Sequence, residues 1–261
     1  MAGCWRTLRD GLGFYASLAL LGAICLSWSV PALPLYLLLP ARPGAAFARR
    51  FMTRAFAAYA RFLVWAGPYR LDLSGIDALG AASPALIAPN HPTVIDAILV
   101  IARHPKLICV MKSSLKNNLF LGAGSRLARY IGNEPPRRMI AEAISGLREG
   151  ASVLLFPEGT RSKQFPVNEF HSSVGLVAKH AGMPVQTLLI ETDSPYLSKG
   201  WPLLKMPPLP VTYSIRLGKR FDPPTDVRSF TAELEQYFRA ELCDSPQRRW
   251  LGVSKTPAAA G

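Results

Sequence analysis

From Gly11 to Ala41 this chain of 261 residues carries no charged side chain, and Leu12 to Leu39 is dominated by Leu, Ala and aromatic residues. Crossing a bilayer takes about 20 predominantly apolar residues, so Leu12 to Val30 is long enough for one helix. A proline inside a helix removes a hydrogen bond and clashes with the preceding turn, so Pro31 and Pro34 are expected to interrupt it. The next apolar piece, Leu35 to Leu39, is too short to cross alone. A cleaved signal peptide has a shorter apolar core followed by a small-residue cleavage site, and no clean site follows here. A single span and a re-entrant helical hairpin remain open. Arg6 and Arg9 precede the segment, and Arg42, Arg49, Arg50, Arg54 and Arg61 follow it. Under the positive-inside rule this places the main body on the cytoplasmic side of the cell inner membrane in either topology.

Between Ala45 and Trp65, Phe47, Phe51, Phe56, Tyr59, Phe62, Leu63 and Trp65 are interleaved with arginines. Such a helix suits a membrane interface, or else packs on the protein with a solvated basic face. Lys and Arg number 30 against 17 Asp and Glu, a formal net charge of +13. That balance attracts anionic lipid headgroups and acidic protein partners. It is compatible with nucleic acid on charge alone, but no recognised nucleic-acid module is present, so none is expected as a partner. Cys4, Cys25, Cys109 and Cys243 show neither metal nor redox spacing and read as reduced or structural residues.

After Gly67-Pro68 the pattern changes to short strands alternating with helices. Strands are predicted at Arg70–Leu73, Ala85–Ala88, Leu107–Met111, Ser152–Phe156, Val185–Ile190 and Val211–Leu217. Helices are predicted at Pro92–Arg103, Arg137–Glu149, Ser172–Ala181 and Phe230–Cys243. The implied class is α/β, a mixed, largely parallel sheet flanked by helices, with an N-terminal membrane-embedded helical segment. Residues 1–66 form the membrane-associated region, 67–247 the main domain, and 248–261 a disordered tail.

Two strings carry chemistry. In Asn90-His91-Pro92-Thr93-Val94-Ile95-Asp96, Pro92 holds His91 in an extended conformation just before a helix. Its ring can then fold back toward Asp96, a little over one turn inside. A carboxylate on one imidazole nitrogen fixes the tautomer and leaves the other nitrogen as a base. Without a nearby Ser or Cys nucleophile, the pair suits direct deprotonation of a substrate hydroxyl. In Phe156-Pro157-Glu158-Gly159-Thr160-Arg161-Ser162, Pro157 and Gly159 favour a turn. There Glu158 can accept hydrogen bonds from hydroxyls and Arg161 can grip an oxyanion. A capping His and a surface turn with a structural salt bridge are the plain alternatives. His104, His171 and His180 have no comparable setting, although His171 could approach the Arg161 turn.

Together the two strings resemble the signature of the glycerolipid acyltransferase family, lysophosphatidate acyltransferase type, over roughly Pro89 to Pro184. The resemblance implies transfer of a fatty acyl group from a thioester of coenzyme A or acyl carrier protein to a lipid hydroxyl. By it His91 is the general base, Asp96 orients it, and Glu158, Gly159, Thr160 and Arg161 bind the acceptor, 1-acylglycerol-3-phosphate being one candidate. Neither a metal nor a cofactor beyond the thioester co-substrate is implied. The family's intermediate motif is met in part. Lys112 is followed by Ser113-Ser114-Leu115, with Ser114 where the family has Glu, and Gly122 and Gly124 stand near its glycine without the proline. Lys112 and one of Arg137 or Arg138 either meet a phosphate or are solvated surface charges. In the fourth motif Pro184 is kept and Thr187 stands in Gln186-Thr187-Leu188. These departures leave two further readings: a silent lipid- or carrier-protein-binding protein, and a thioester hydrolase using the same dyad.

Overall fold

The computed structural model describes residues 2–77, 79 and 84–251, leaving aside the side chains of residues 2–8. In chain order its elements are α1 (Ala2–Leu38), α2 (Ala41–Trp65), β1 (Tyr69–Asp72), α3 (Ser74–Asp77), β2 (Leu86–Pro89), α4 (Ile95–Ile101), β3 (Leu107–Met111), α5 (Gly122–Leu127), β4 (Ile131–Gly132), α6 (Pro136–Arg148), β5 (Ser152–Leu154), α7 (Ser173–Ala181), β6 (Val185–Thr192), β7 (Val211–Phe221) and α8 (Val227–Glu241). Short 3-10 turns lie at Ser113–Asn117 and Pro246–Arg249.

The strands form one seven-stranded sheet in the order β1-β7-β6-β2-β5-β3-β4. The pairings β6–β2, β2–β5, β5–β3 and β3–β4 are parallel, β7 is antiparallel to β6, and β1 runs parallel to β7. This is the mixed, largely parallel α/β sheet the alternation predicts. The buried strands read as continuous apolar runs because both faces are covered. One face packs side chains of α1, α2 and α4, among them Phe14, Trp28, Met52, Leu63 and Leu99. The other packs Met139 and Leu147 of α6, Val174 and Val177 of α7, and Phe230, Leu234 and Phe238 of α8. The first two helices therefore share a hydrophobic core with the sheet.

Pro31 and Pro34 do not end α1, which continues to Leu38. Both prolines lie on its exposed side, while Trp28 and Ala32 are buried on the other. Trp28 stacks on Phe51 at 4.0 Å, and Ser29 Oγ donates to Phe120 O at 2.8 Å, so packing holds the helix through the positions where backbone bonds are lost. A Cβ on Gly13 would lie 2.7 Å from Ala66 O. The start of α1 thus meets the end of α2, and the two helices form an antiparallel hairpin. Arg9 to Leu38 is long and apolar enough to cross a membrane.

The helix predicted from Pro92 begins only at Ile95, and in the turn before it the backbone N–H and hydroxyl of Thr93 are both taken by the Asp96 carboxylate. By contrast α8 starts three residues earlier than its periodicity indicates, where Asp226 Oδ2 accepts the Ser229 N–H at 2.6 Å. Residues 248–251, expected to belong to a disordered tail, are part of the fold. Gln247 is buried and its Nε2 donates to Ile190 O at 2.7 Å, and Leu251 is buried. Residues 252–261 lie outside the described residues. The two-residue β4 and the short α3 and α5 had no readable periodicity.

Candidate active site

Strands β2, β5, β3 and β6 all point their carboxyl ends to one edge of the sheet, the edge at which open α/β sheets bind ligands. β2 and β5 are neighbours, so the chain leaving each brings the two sequence motifs side by side. Asn90 locks the first onto β6: its Nδ2 donates to Ile190 O at 2.8 Å and its Oδ1 accepts the Ile190 N–H at 2.7 Å.

His91 Nδ1 lies 3.0 Å from Asp96 Oδ2. Asp96 sits in the first turn of α4, nearer the helix start than the sequence implied, and it is fully buried. Its carboxylate also accepts the Thr93 N–H at 2.7 Å and the Thr93 hydroxyl at 2.6 Å. Thr93 Oγ1 in turn accepts from the Tyr213 hydroxyl at 3.1 Å. The carboxylate is thus held by three donors, and a deprotonated Asp96 fixes the proton of neutral His91 on Nδ1, leaving Nε2 as the basic nitrogen. The ring stacks on Phe156 at 3.9 Å, and its side chain is 17% exposed, enough to meet a substrate. Removing the outermost donor with Tyr213→Phe should cost about 0.5–1.5 kcal/mol of stability, read by urea unfolding.

Glu158 is placed differently from the expectation that it accepts from a substrate hydroxyl. It is 1% exposed. Oε1 accepts the backbone N–H of His91 at 2.8 Å and the Ser162 hydroxyl at 2.8 Å, and Oε2 accepts the Asn168 N–H at 2.8 Å. Burial pushes its carboxyl above the usual range, and these hydrogen bonds oppose the shift. Ser162 N–H donates to His91 O at 2.7 Å, so two bonds tie the backbone of the base to the second motif. The nearby hydroxyls of Thr93 and Ser162 each donate to a carboxylate, not to the imidazole.

Gly159 has φ +63°, and a Cβ there would lie 2.8 Å from His171 Cδ2, so both backbone and space favour glycine. His171 does approach the turn, packing over Gly159 while its N–H donates to Pro157 O at 2.9 Å. Arg161 Nη1 donates to Leu197 O and Ser198 O, each at 2.9 Å. Desolvation lowers its pKa, and the charge of Asp96 opposes that. Thr160 is exposed and its Oγ1 accepts from Lys199 Nζ at 3.0 Å. Lys112 follows β3 and is exposed. Arg138 turns to Glu142 on its own helix at 2.7 Å, and Arg137 is exposed beside it at the start of α6. His104 contacts Ser152 Oγ at 3.4 Å near the amino end of β3, and His180 lies in the last turn of α7. Neither joins the dyad.

Sequence reading missed the supporting residues. Thr93, Ser162 and Asn90 stand inside the quoted strings, where their short side chains were the available signal. Tyr213 and Lys199 come from distant segments and carry none.

Residues 70–191 match the family model described as Acyltransferase. The chain is 25% identical over 126 residues to a chloroplastic 1-acyl-sn-glycerol-3-phosphate acyltransferase of Arabidopsis thaliana, covering 45% of this chain and 35% of that protein. Its likeness to a chloroplastic 1-acyl-sn-glycerol-3-phosphate acyltransferase of Brassica napus is also 25% over 126 residues, covering 45% of this chain and 36% of the relative. The match thus spans about a third of these relatives' own length. The fold is similar to the crystal structure of the 1-acyl-sn-glycerophosphate acyltransferase PlsC from Thermotoga maritima, with TM-score 0.66 and 17% identity over 92% of this chain and 95% of that one. The matched span, residues 70–191, contains both motifs, and it is similar to the acyltransferase family that they resemble.

Proposed function

We propose that this protein is a membrane-associated O-acyltransferase that moves a fatty acyl group from an acyl thioester to the hydroxyl of a lysophospholipid, 1-acylglycerol-3-phosphate fitting best. The observation that carries the reading is the His91 Nδ1–Asp96 Oδ2 contact of 3.0 Å at the carboxyl edge of the sheet. His91 Nε2 takes the proton of the acceptor hydroxyl as its oxygen attacks the thioester carbonyl. The tetrahedral intermediate collapses, the carbon–sulfur bond breaks, and the imidazolium returns the proton to the departing thiolate. Asp96 is a positioning residue that keeps the imidazole tautomer and stabilises its charged form. Exposed Lys112 and half-buried Arg161 supply positive charge for an anionic headgroup.

Coenzyme A and acyl carrier protein both fit as donor carriers, since each is anionic and the chain carries net charge +13. The test is transfer of a labelled acyl chain from each thioester to a panel of lysolipids by purified protein. Labelled phosphatidate is the expected product. No ester with any acceptor would contradict the reading and favour a silent binding protein.

The hairpin supports membrane attachment. Leu26, Val30, Leu33, Leu37 and Leu38 of α1 and Phe47, Phe51 and Trp65 of α2 are exposed, a lipid-facing apolar surface beside exposed Arg50, Arg54 and Arg61. The proposed site is the cytoplasmic face of the inner membrane. Cys243 is exposed whereas Cys25 and Cys109 are buried. In a Cys4→Ser background, an impermeant maleimide should label Cys243 in inverted vesicles and not in intact spheroplasts. The reverse pattern would overturn the sidedness.

A further inference from the structure

Between β6 and β7, the segment from Ser194 to Gly200 forms a third wall of the site and belongs to neither motif. Leu197 adopts a left-handed conformation with φ +61°. Its carbonyl accepts two donors, the Val94 N–H at 3.1 Å and Arg161 Nη1 at 2.9 Å, and the Ser198 carbonyl accepts Arg161 Nη1 as well. One stretch of backbone is thereby bonded to the helix start that carries Asp96 and to the arginine of the second motif. The next residue is Lys199, whose Nζ lies 3.0 Å from Thr160 Oγ1.

Positive charge accumulates here, offset in part at Arg161 by the charge of Asp96. Lys199 is held below the ordinary lysine range by desolvation and then by the charges of Lys163, Arg161 and Lys112. Among the described residues, none of these four cations forms an ion pair. The two buried carboxylates of the site are already engaged, Glu158 with three protein donors and Asp96 with His91 and Thr93. Ser114 stands where the family motif has an acid, so the sequence offers Lys112 no neighbouring carboxylate there. Crowded cations of this kind repel one another until an anion enters, and a phosphate monoester brings up to two negative charges and three acceptor oxygens.

We propose that Lys199 is a specificity-determining residue, which together with Lys112 and Arg161 holds the phosphate monoester of the acceptor at the mouth of the site. This rests on the acyltransferase reading above. Coenzyme A also carries a phosphate monoester, so the shared chemistry has two sources. The acceptor is favoured because Lys199 is fixed to Thr160, in the same turn as Glu158, whose carboxylate binds the backbone of the base that must meet the acceptor hydroxyl.

The test compares Lys199→Met and Lys199→Arg with wild type in detergent. KM is measured for 1-acylglycerol-3-phosphate, for palmitoyl-coenzyme A and for palmitoyl-pantetheine, which has no phosphate. Equilibrium binding of the lysolipid is measured without a donor. Lys199→Met should raise the lysolipid KM and dissociation constant about tenfold, the value of one charge-assisted hydrogen bond. The kcat should stay within about twofold and donor KM values should be unchanged, and Lys199→Arg should recover most of the loss. Because Lys199 is exposed, the melting temperature should not move. A KM rise for palmitoyl-coenzyme A but not for palmitoyl-pantetheine would assign the phosphate to the donor and overturn the proposal. Unchanged constants throughout would overturn it as well. Wild type that binds lysolipid without transfer would refute the enzymatic reading, while the binding comparison would still decide the role of Lys199.

Discussion

Replacing His91 with alanine should lower acyl transfer by about 10³-fold, within the range of 10²–10⁴ that a positioned acid–base group contributes. The loss should fall on kcat, because the acceptor phosphate and the thioester are held by other groups. Stability should drop by only about 1–3 kcal/mol, the sum of one hydrogen bond and one ring stack. The fold survives because Asp96 keeps two bonds from Thr93 and the His91 backbone keeps its bonds to Glu158 and Ser162. Stopped-time assays with a labelled thioester, beside thermal melts, separate the two quantities. In Asp96→Asn an amide N–H₂ in place of Oδ2 would oppose both the His91 Nδ1–H and the Thr93 N–H, while in place of Oδ1 it would face the Thr93 hydroxyl. In either orientation the charge that stabilises the imidazolium is lost. The rate of this variant should fall by an amount comparable to or smaller than that of His91→Ala. Full turnover in His91→Ala would end the mechanism.

Glu158→Ala should be the most destabilising single change at the site, by about 3–5 kcal/mol. It strands three donors in a buried setting, each worth about 1–3 kcal/mol when left unmade, with partial relief from relaxation or water entry. Glu158→Gln should recover part of this. Its amide oxygen can serve His91 N–H and Ser162, but its N–H₂ meets the Asn168 N–H as donor against donor. A pH signature accompanies the carboxylate. Since burial raises its pKa in the folded chain above the ordinary value of 4.5, the unfolded chain releases that proton first as pH rises. Its contribution to stability therefore declines with rising pH from about that value until the folded group has also ionised. Chemical unfolding across that range should show this slope in wild type and not in Glu158→Gln. If Glu158→Ala were as stable as wild type and only raised the lysolipid KM, the residue would instead bind the acceptor directly.

How much of this was legible depends on the range of each interaction. The His91–Asp96 pair could be read because five residues separate its members and Pro92 constrains the chain between them. The alternation of apolar runs with amphipathic ones gave the α/β class, since the covered sheet makes its strands uniformly apolar. Glu158 was misread because its partners, His91 N–H and Asn168 N–H, are set by strand adjacency that no spacing reveals. Helix α1 outran its prolines because the packing of Trp28 and Ala32 outweighs a local rule. Arg138 was one of two candidates for the phosphate, yet an (i, i+4) ion pair with Glu142 holds its side chain. Lys199 had no local signal at all. It is recruited by the unusual backbone at Leu197, which appears only in three dimensions.

The central claim is that the dyad activates an acceptor hydroxyl and not water. Purified protein given palmitoyl-coenzyme A, with and without 1-acylglycerol-3-phosphate, can be followed for released thiol and for ester in the same tube. The account predicts one ester formed per thiol released, and thiol release near background when the acceptor is left out. Thiol release that proceeds at the same rate without acceptor, matched by free fatty acid, would contradict it and make the protein a thioester hydrolase.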